Sequence, residues 1–115
     1  MEEACRGARE AVGLTVGLLP GDSRDAGNPW LSVAVATGLG ELRNGLVVRA
    51  SDAVIAVGGG AGTLSEIGFA LKLGRPVVGL GTWALAPPGG SPLDGFEAVG
   101  DPGVAVERAL ALSAG

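Results

Sequence analysis

Short apolar runs alternate with segments of helical spacing along most of the chain. The apolar runs, which have the length of buried strands, lie at 14–19, 31–36, 53–57, 77–80 and 96–99. The segments with helical spacing lie at 2–12, 38–51, 63–73 and 102–113. Strands that alternate with helices are typical of a parallel sheet with helices on its faces. The pattern therefore predicts an α/β fold, and because no repeat or linker divides it, we expect residues 1–115 to form one domain.

The stretch 53–80 has the complete order of a strand, a glycine turn, a helix and a second strand. Its first strand, 53–57, is wholly apolar, as expected of a central parallel strand. The glycines that follow place bare backbone amides at a helix start, an arrangement that binds anions and usually phosphate. The predicted phosphate ligands are Gly58, Gly59, Gly60, Gly62, Thr63 and Ser65. The alternative is a tight turn that binds nothing.

Two familiar phosphate motifs are excluded by the residues around these glycines. No Gly-Lys-Ser/Thr follows, so the turn is not a Walker A loop. Ser65 stands where a dinucleotide fingerprint has its third glycine, and the strand 77–80 is followed by Gly81 rather than by an acidic residue for the ribose. NAD(P) is therefore not the expected ligand.

Glycines also predict helix ends, with Gly13 closing the first helix and Gly74 the third.

Two charged residues near the turn each allow two interpretations. Glu66 either completes a capping box with Thr63 or faces a sugar hydroxyl or a reactive water beyond the phosphate. Arg43 lies in the middle of the apolar stripe predicted for helix 38–51. That stripe consists of Leu39, Leu42, Leu46, Val47 and Ala50. A guanidinium on a buried face needs an anion, which is either a structural carboxylate or a phosphate or developing negative charge of a ligand.

Composition narrows the possible functions further. A net charge of −4 without a basic run argues against a nucleic-acid surface. No apolar run approaches the roughly 18 residues of a membrane span, so we expect a cytoplasmic protein without a membrane partner. The absence of histidine excludes a Ser-His-Asp triad, and with Cys5 as the only cysteine we predict no disulfide and no metal site. Schiff-base chemistry at Lys72, the only lysine, is not expected.

The glycine turn carries a family resemblance. Gly58-Gly-Gly-Ala-Gly-Thr-Leu-Ser-Glu66 resembles the Pro-Gly-Gly-x-Gly-Thr-x-x-Glu motif of the LOG ("lonely guy") family, whose Rossmann-like members were often mislabelled lysine decarboxylases. Gly40-Glu-Leu-Arg-Asn44 resembles the second motif of that family, in which lysine usually stands at the position of Asn44. In the first motif, proline precedes the glycines, where this chain has Val57-Gly58. These departures resemble a bacterial sub-branch related to molybdenum-cofactor carrier proteins.

The resemblance implies a Rossmann-like parallel sheet flanked by helices and allows two functions. In the enzymes of the family, the residues that match Arg43 and Glu66 are catalytic and cleave the N-glycosidic bond of a nucleoside 5′-monophosphate. This phosphoribohydrolase reaction requires no cofactor. In the carrier relatives the same turn would hold a phosphate-bearing cofactor, such as the molybdenum cofactor, without chemistry. Lysine decarboxylation is not expected under either function.

The resemblance also implies an assembly and a missing segment. Members of the family form homodimers or higher homo-oligomers, and we expect the same here. They normally begin with a β-α-β segment that ends in a glycine-rich turn, whereas Met1-Glu-Glu-Ala-Cys-Arg-Gly-Ala8 resembles the middle of that segment. We therefore expect the first β-α-β, and half of the phosphate site with it, to be lacking through truncation or to be supplied by a partner chain.

Overall fold

All strand pairs in the described part of this computed structural model, residues 1–90 and 93–114, are parallel. The chain divides into two compact units, Met1–Leu46 and Val47–Gly115, and each is described here by itself. Across the described residues, no helix has the length and apolar character needed to cross a membrane. The expectation that residues 1–115 form one domain stays a prediction.

The first unit is a pair of parallel strands with a helix before them. It contains helix α1 (Glu2–Glu10), strands β1 (Val16–Leu19) and β2 (Val33–Ala36), and the 3-10 helices Arg24–Ala26 and Gly40–Leu42. Val16 lies opposite Val33 where the two strands begin. The buried Thr15 helps to fix this register of the two strands. Its Oγ1 donates to the carbonyl of Trp30 at 2.7 Å and accepts from the N–H of Ser32 at 2.7 Å. A side chain thus adds to the strand ladder in setting the register.

Helix α1 ends in a Schellman motif that has valine at its left-handed position. The N–H of Val12 donates to the carbonyl of Arg9 at 3.0 Å, and that of Gly13 donates to Ala8 at 2.7 Å. Val12 has a φ of +62°, so the prediction that Gly13 supplies the left-handed stop is wrong by one residue. Glycine is needed at 13 for a different reason, because a Cβ there would lie 3.0 Å from the Ala8 carbonyl oxygen.

The second unit is a three-stranded sheet with helices on both faces. It contains strands β3 (Val54–Val57), β4 (Val77–Leu80) and β5 (Phe96–Val99), with helices α3 (Ala61–Lys72) and α4 (Pro102–Ser113). The strand order is β3-β4-β5, which puts β4 in the centre. Val77 packs with Ile67 of α3, whereas Val78 packs with Ala105 of α4. Because neighbouring residues of a strand point to opposite faces, α3 and α4 cover opposite faces of the sheet, which confirms the predicted fold class.

The helix predicted over 38–51 is shorter, and its predicted buried stripe is wrong. An α-helix, α2, spans only Arg43–Arg49 and begins after the 3-10 helix Gly40–Leu42. A 3-10 helix has about three residues per turn, so the phase of the pattern changes before Arg43. As a result Leu42 is 77% exposed, whereas Val48, outside the predicted stripe, is fully buried.

Candidate functional site

The glycine turn joins β3 directly to the start of α3. Gly58 has a φ of +84°, which favours glycine, and Gly60 is the N-cap of α3 with extended backbone. The first bond of the helix runs from the N–H of Leu64 to the carbonyl of Gly60 at 3.1 Å. The amides from Gly60 to Thr63 therefore have no acceptor within the helix, and they stand at the positive end of its dipole. Such a terminus stabilises a bound anion.

The space above this turn is open. Apart from its adjoining residues, a Cβ built at Gly58, Gly59 or Gly60 would meet no atom of residues 1–90 and 93–114 within 4 Å. Gly59 and Gly60 also lack a positive φ, so neither close packing nor backbone conformation requires glycine at these two positions. A bare backbone is what a closely approaching phosphate requires, and the turn therefore fits a phosphate group.

The loop after β4 is tied to the turn by two hydrogen bonds. The hydroxyl of Thr82 donates to the carbonyl of Gly58 at 2.6 Å, and the indole N–H of Trp83 donates to the carbonyl of Gly60 at 3.2 Å. Neither Thr82 nor Trp83 is among the site residues predicted from the sequence. Adjacent parallel strands end at the same edge of a sheet, so the place of both residues directly after β4 was an available signal.

The capping box predicted for Thr63 and Glu66 is wrong. Helix α3 begins at Ala61, so Thr63 is its third residue, and Gly60 takes the N-cap position instead. Ser65 donates its hydroxyl hydrogen to the carbonyl of Gly62 at 2.9 Å. Glu66 is half-buried and lies roughly 4.5 Å farther along the helix axis than Thr63. The ligand-facing role of Glu66 stays a prediction.

Arg43 belongs to the first unit, whereas Glu66 and the turn belong to the second. Its Nη1 donates to the carbonyl oxygen of Leu18 in β1 at 2.8 Å. Its Nε is buried and has no hydrogen-bond partner within the described residues. The contact found for Arg43 is thus a backbone carbonyl, and a buried donor of a charged group is left over. An unpaired buried donor is costly, which makes an anion a fitting partner for this guanidinium.

Metal-binding side chains do not gather near the turn. Over residues 1–90 and 93–114, no group of three or more His, Cys, Asp or Glu side chains is arranged to hold a metal ion. The chemistry available at the turn is therefore that of backbone amides, hydroxyls, an indole and the carboxylate of Glu66.

The glycine turn lies within a stretch of the chain that matches a known protein family. Residues 1–91 match the SLOG cluster4 family. The chain belongs to this family. The match confirms the LOG-like resemblance of the motif at 58–66.

Relatives of this SLOG cluster4 chain include proteins with solved structures. An uncharacterized protein of Archaeoglobus fulgidus is 45% identical over 80 residues, which make up 70% of this chain and 52% of that protein. The molybdenum cofactor binding protein of the phototrophic bacterium Rippkaea orientalis has a TM-score of 0.68 at 37% identity, covering 99% of this chain and 58% of that one. The molybdenum cofactor carrier protein of Chlamydomonas reinhardtii has a TM-score of 0.81 at 34% identity, covering 98% and 70% respectively.

The solved relatives have the predicted fold, and this chain covers only part of their length. The likeness to these structures confirms a Rossmann-like α/β fold related to molybdenum-cofactor carriers. The chain spans only 52% and 58% of the lengths of the Archaeoglobus and Rippkaea proteins.

Proposed function

We propose that this chain is a binding or carrier protein for a phosphate-bearing cofactor, with the molybdenum cofactor as the first candidate. The observation that carries the proposal is the open glycine turn at the start of α3, where a Cβ built on Gly58, Gly59 or Gly60 lies more than 4 Å from other parts of the described chain. Solved relatives named as molybdenum cofactor binding and carrier proteins, at 37% and 34% identity, support the choice of ligand.

The amides of Gly58, Gly59, Gly60 and Gly62 and the hydroxyl of Thr63 would hold the phosphate. These groups supply partial positive charge without a formal cation, so the phosphate is held by hydrogen bonds and by the helix dipole. Ser65 donates its hydroxyl hydrogen to the carbonyl of Gly62, so binding of the phosphate by Ser65 would exchange that hydrogen bond for one to a phosphate oxygen. When bound, the cofactor would bring its own redox chemistry, and the residues of this chain would bind and shield it.

Binding is tested directly by native mass spectrometry and calorimetry. The probes are a molybdopterin-type ligand, AMP and inorganic phosphate. Binding of the molybdopterin-type ligand is expected to be tighter than binding of phosphate alone. No binding of any probe would contradict the proposal.

A matched pair of glycine variants locates the ligand. Gly59→Ala puts a methyl group into the open space over the turn, whereas Gly68→Ala puts the same group into open space farther along α3. We expect Gly59→Ala to weaken binding at least tenfold and Gly68→Ala to change it less than twofold. Equal affinities for the two variants would place the ligand elsewhere.

Hydrolysis of nucleoside 5′-monophosphates is the second candidate, and the half-buried Glu66 is the observation that favours it. Arg43 and Glu66 are the proposed catalytic residues, as the family resemblance implies. Under this candidate Glu66→Gln should lower the release of free base from AMP by at least a hundredfold, since a positioned acid or base contributes about 10²–10⁴. Under the carrier proposal the same variant keeps most of its affinity. Failure of the wild type to release base above background would reject the enzyme candidate.

A homodimer or higher homo-oligomer in the cytoplasm completes the proposal. It is supported by the family resemblance and by exposed apolar residues on a strand at the sheet edge, with Val57 of β3 62% exposed. Light scattering coupled to size exclusion tests the assembly, and a monomer at micromolar concentration would contradict it.

A further inference from the structure

Trp83 stands beside the glycine turn with its ring partly in solvent. Its indole N–H donates to the carbonyl of Gly60, the residue that caps α3, at 3.2 Å. The residue is nevertheless 39% exposed. A tryptophan that served only core packing would bury its ring, whereas this one is anchored through its single polar atom and leaves ring surface accessible.

The loop that carries Trp83 is held in place by its own contacts. Gly81 has a φ of +58°, which turns the chain directly after β4. Thr82 then donates to the carbonyl of Gly58 at 2.6 Å, so consecutive residues of the loop bond to two carbonyls of the turn. Position 79 cannot accept a larger residue, because a Cβ there would lie 2.6 Å from the ring of Phe96 and 2.8 Å from Thr82 Cγ2. The indole is therefore positioned before any ligand arrives.

We propose that Trp83 recognises a planar heterocycle in the ligand by stacking on it. This inference rests on the proposed function, because it takes the phosphate of the same ligand to lie on the glycine turn. The indole nitrogen lies 3.2 Å from the carbonyl oxygen of Gly60, so the ring is held beside the residue that caps α3. A phosphate ester of a base or a pterin spans from the helix start to such a ring. A phosphate ester without a ring would bind only at the turn.

Stacking on an aromatic side chain is tolerant of the identity of the heterocycle, since every planar base has a π-face. The inference therefore names a ligand class, the phosphate esters of planar heterocycles. The matched probes are AMP and ribose 5-phosphate, which share the sugar phosphate and differ by the base. Wild-type protein is expected to bind AMP about tenfold more tightly than ribose 5-phosphate.

Variants of the two tryptophans test this preference by calorimetry. Trp83→Leu should weaken AMP binding about tenfold and ribose 5-phosphate binding less than threefold, which removes the preference. Trp83→Phe keeps an aromatic face and should retain most of it. Trp30→Leu is the control for the loss of an indole elsewhere in the sequence and should leave both affinities unchanged. Trp30→Phe makes Trp83 the only tryptophan, and AMP should then quench its fluorescence more than ribose 5-phosphate does.

The outcomes separate the two proposals. An equal loss of both ligands in Trp83→Leu would assign Trp83 a structural role and overturn the inference. An AMP affinity unchanged in Trp83→Leu would overturn it as well. If AMP, ribose 5-phosphate, inorganic phosphate and the molybdopterin-type ligand all fail to bind wild-type protein, the proposed function fails together with the inference that depends on it.

Discussion

Replacement of Val12 by glycine is expected to stabilise the protein. Val12 occupies the left-handed position of the motif that ends α1, with a φ of +62°, and it is 93% exposed. A left-handed conformation costs an L-residue about 1–2 kcal/mol, whereas glycine adopts it freely. The greater freedom of glycine in the unfolded chain offsets about 0.4–1 kcal/mol of that gain. Because the side chain makes little contact, the net gain is about 1 kcal/mol.

Urea unfolding followed by circular dichroism measures this gain. With a slope of about 1–3 kcal/mol per molar urea for small proteins, the midpoint should rise by roughly 0.3–1 M. Val12→Ala is the control, because it shortens the side chain but keeps a Cβ at the same φ. Its midpoint should stay close to that of the wild type.

The end of α3 provides the reciprocal experiment. Gly74 holds the same left-handed position there, with a φ of +75°, and a Cβ built on it would meet no non-adjoining atom within 4 Å in the part of the chain that the structure describes. The N–H of Gly74 donates to Leu71 at 3.2 Å and that of Arg75 donates to Ala70 at 2.9 Å, as in the motif of α1. Gly74→Val should therefore lower stability by about 1 kcal/mol, because the smaller freedom of valine in the unfolded chain offsets part of the left-handed cost. If Val12→Gly unfolds at the same urea concentration as Val12→Ala, left-handed strain at Val12 is refuted.

Three further predictions concern the core, the arginine and the domain. Ile67→Ala empties a fully buried site in the second unit and should cost about 2–5 kcal/mol in the same urea experiment. Arg43→Ala removes the hydrogen bond to the carbonyl of Leu18 at 2.8 Å and should lower stability by about 1.5–3 kcal/mol in the same experiment, whereas Arg49→Ala, at an exposed position of the same helix, should change it little. If residues 1–115 form one domain, urea unfolding should show a single transition with coincident fluorescence and circular dichroism curves.

The strand and helix order was predictable because its signals are local. Strand β4 at Val77–Leu80 and the helix Pro102–Ser113 lie where the sequence predicts them, and the unit 53–80 is confirmed. An apolar run of strand length followed by glycines has few alternative structures in an α/β chain. The prediction of an α-helix over 38–51 was wrong at Gly40–Leu42, because a 3-10 helix and an α-helix have similar local signals there.

The site was predictable only in its central part. The glycines identified the turn, but the start of α3 was misplaced: the predicted helix begins at Thr63, whereas α3 begins at Ala61 with Gly60 as its N-cap. Glycine is itself an accepted N-cap, and sequence spacing does not rank the two. The contacts of Thr82 and Trp83 with the turn join residues 24 and 23 positions apart in the chain, so they depend on strand pairing rather than on local pattern.

Two glycines of the turn are required for different reasons. Gly58 is required by its backbone conformation, whereas Gly59 is a candidate for a residue required by the ligand. Gly58 has a φ of +84°, so Gly58→Ala should cost about 1–2 kcal/mol of stability. Gly59 has no positive φ and no neighbour within 4 Å of a Cβ, so Gly59→Ala should leave stability unchanged or raise it by about 0.4–1 kcal/mol. A residue whose replacement does not harm folding but abolishes binding is retained for the ligand. Urea midpoints of the two variants decide this, and a loss of stability in Gly59→Ala as large as that in Gly58→Ala would show that the turn alone requires both glycines.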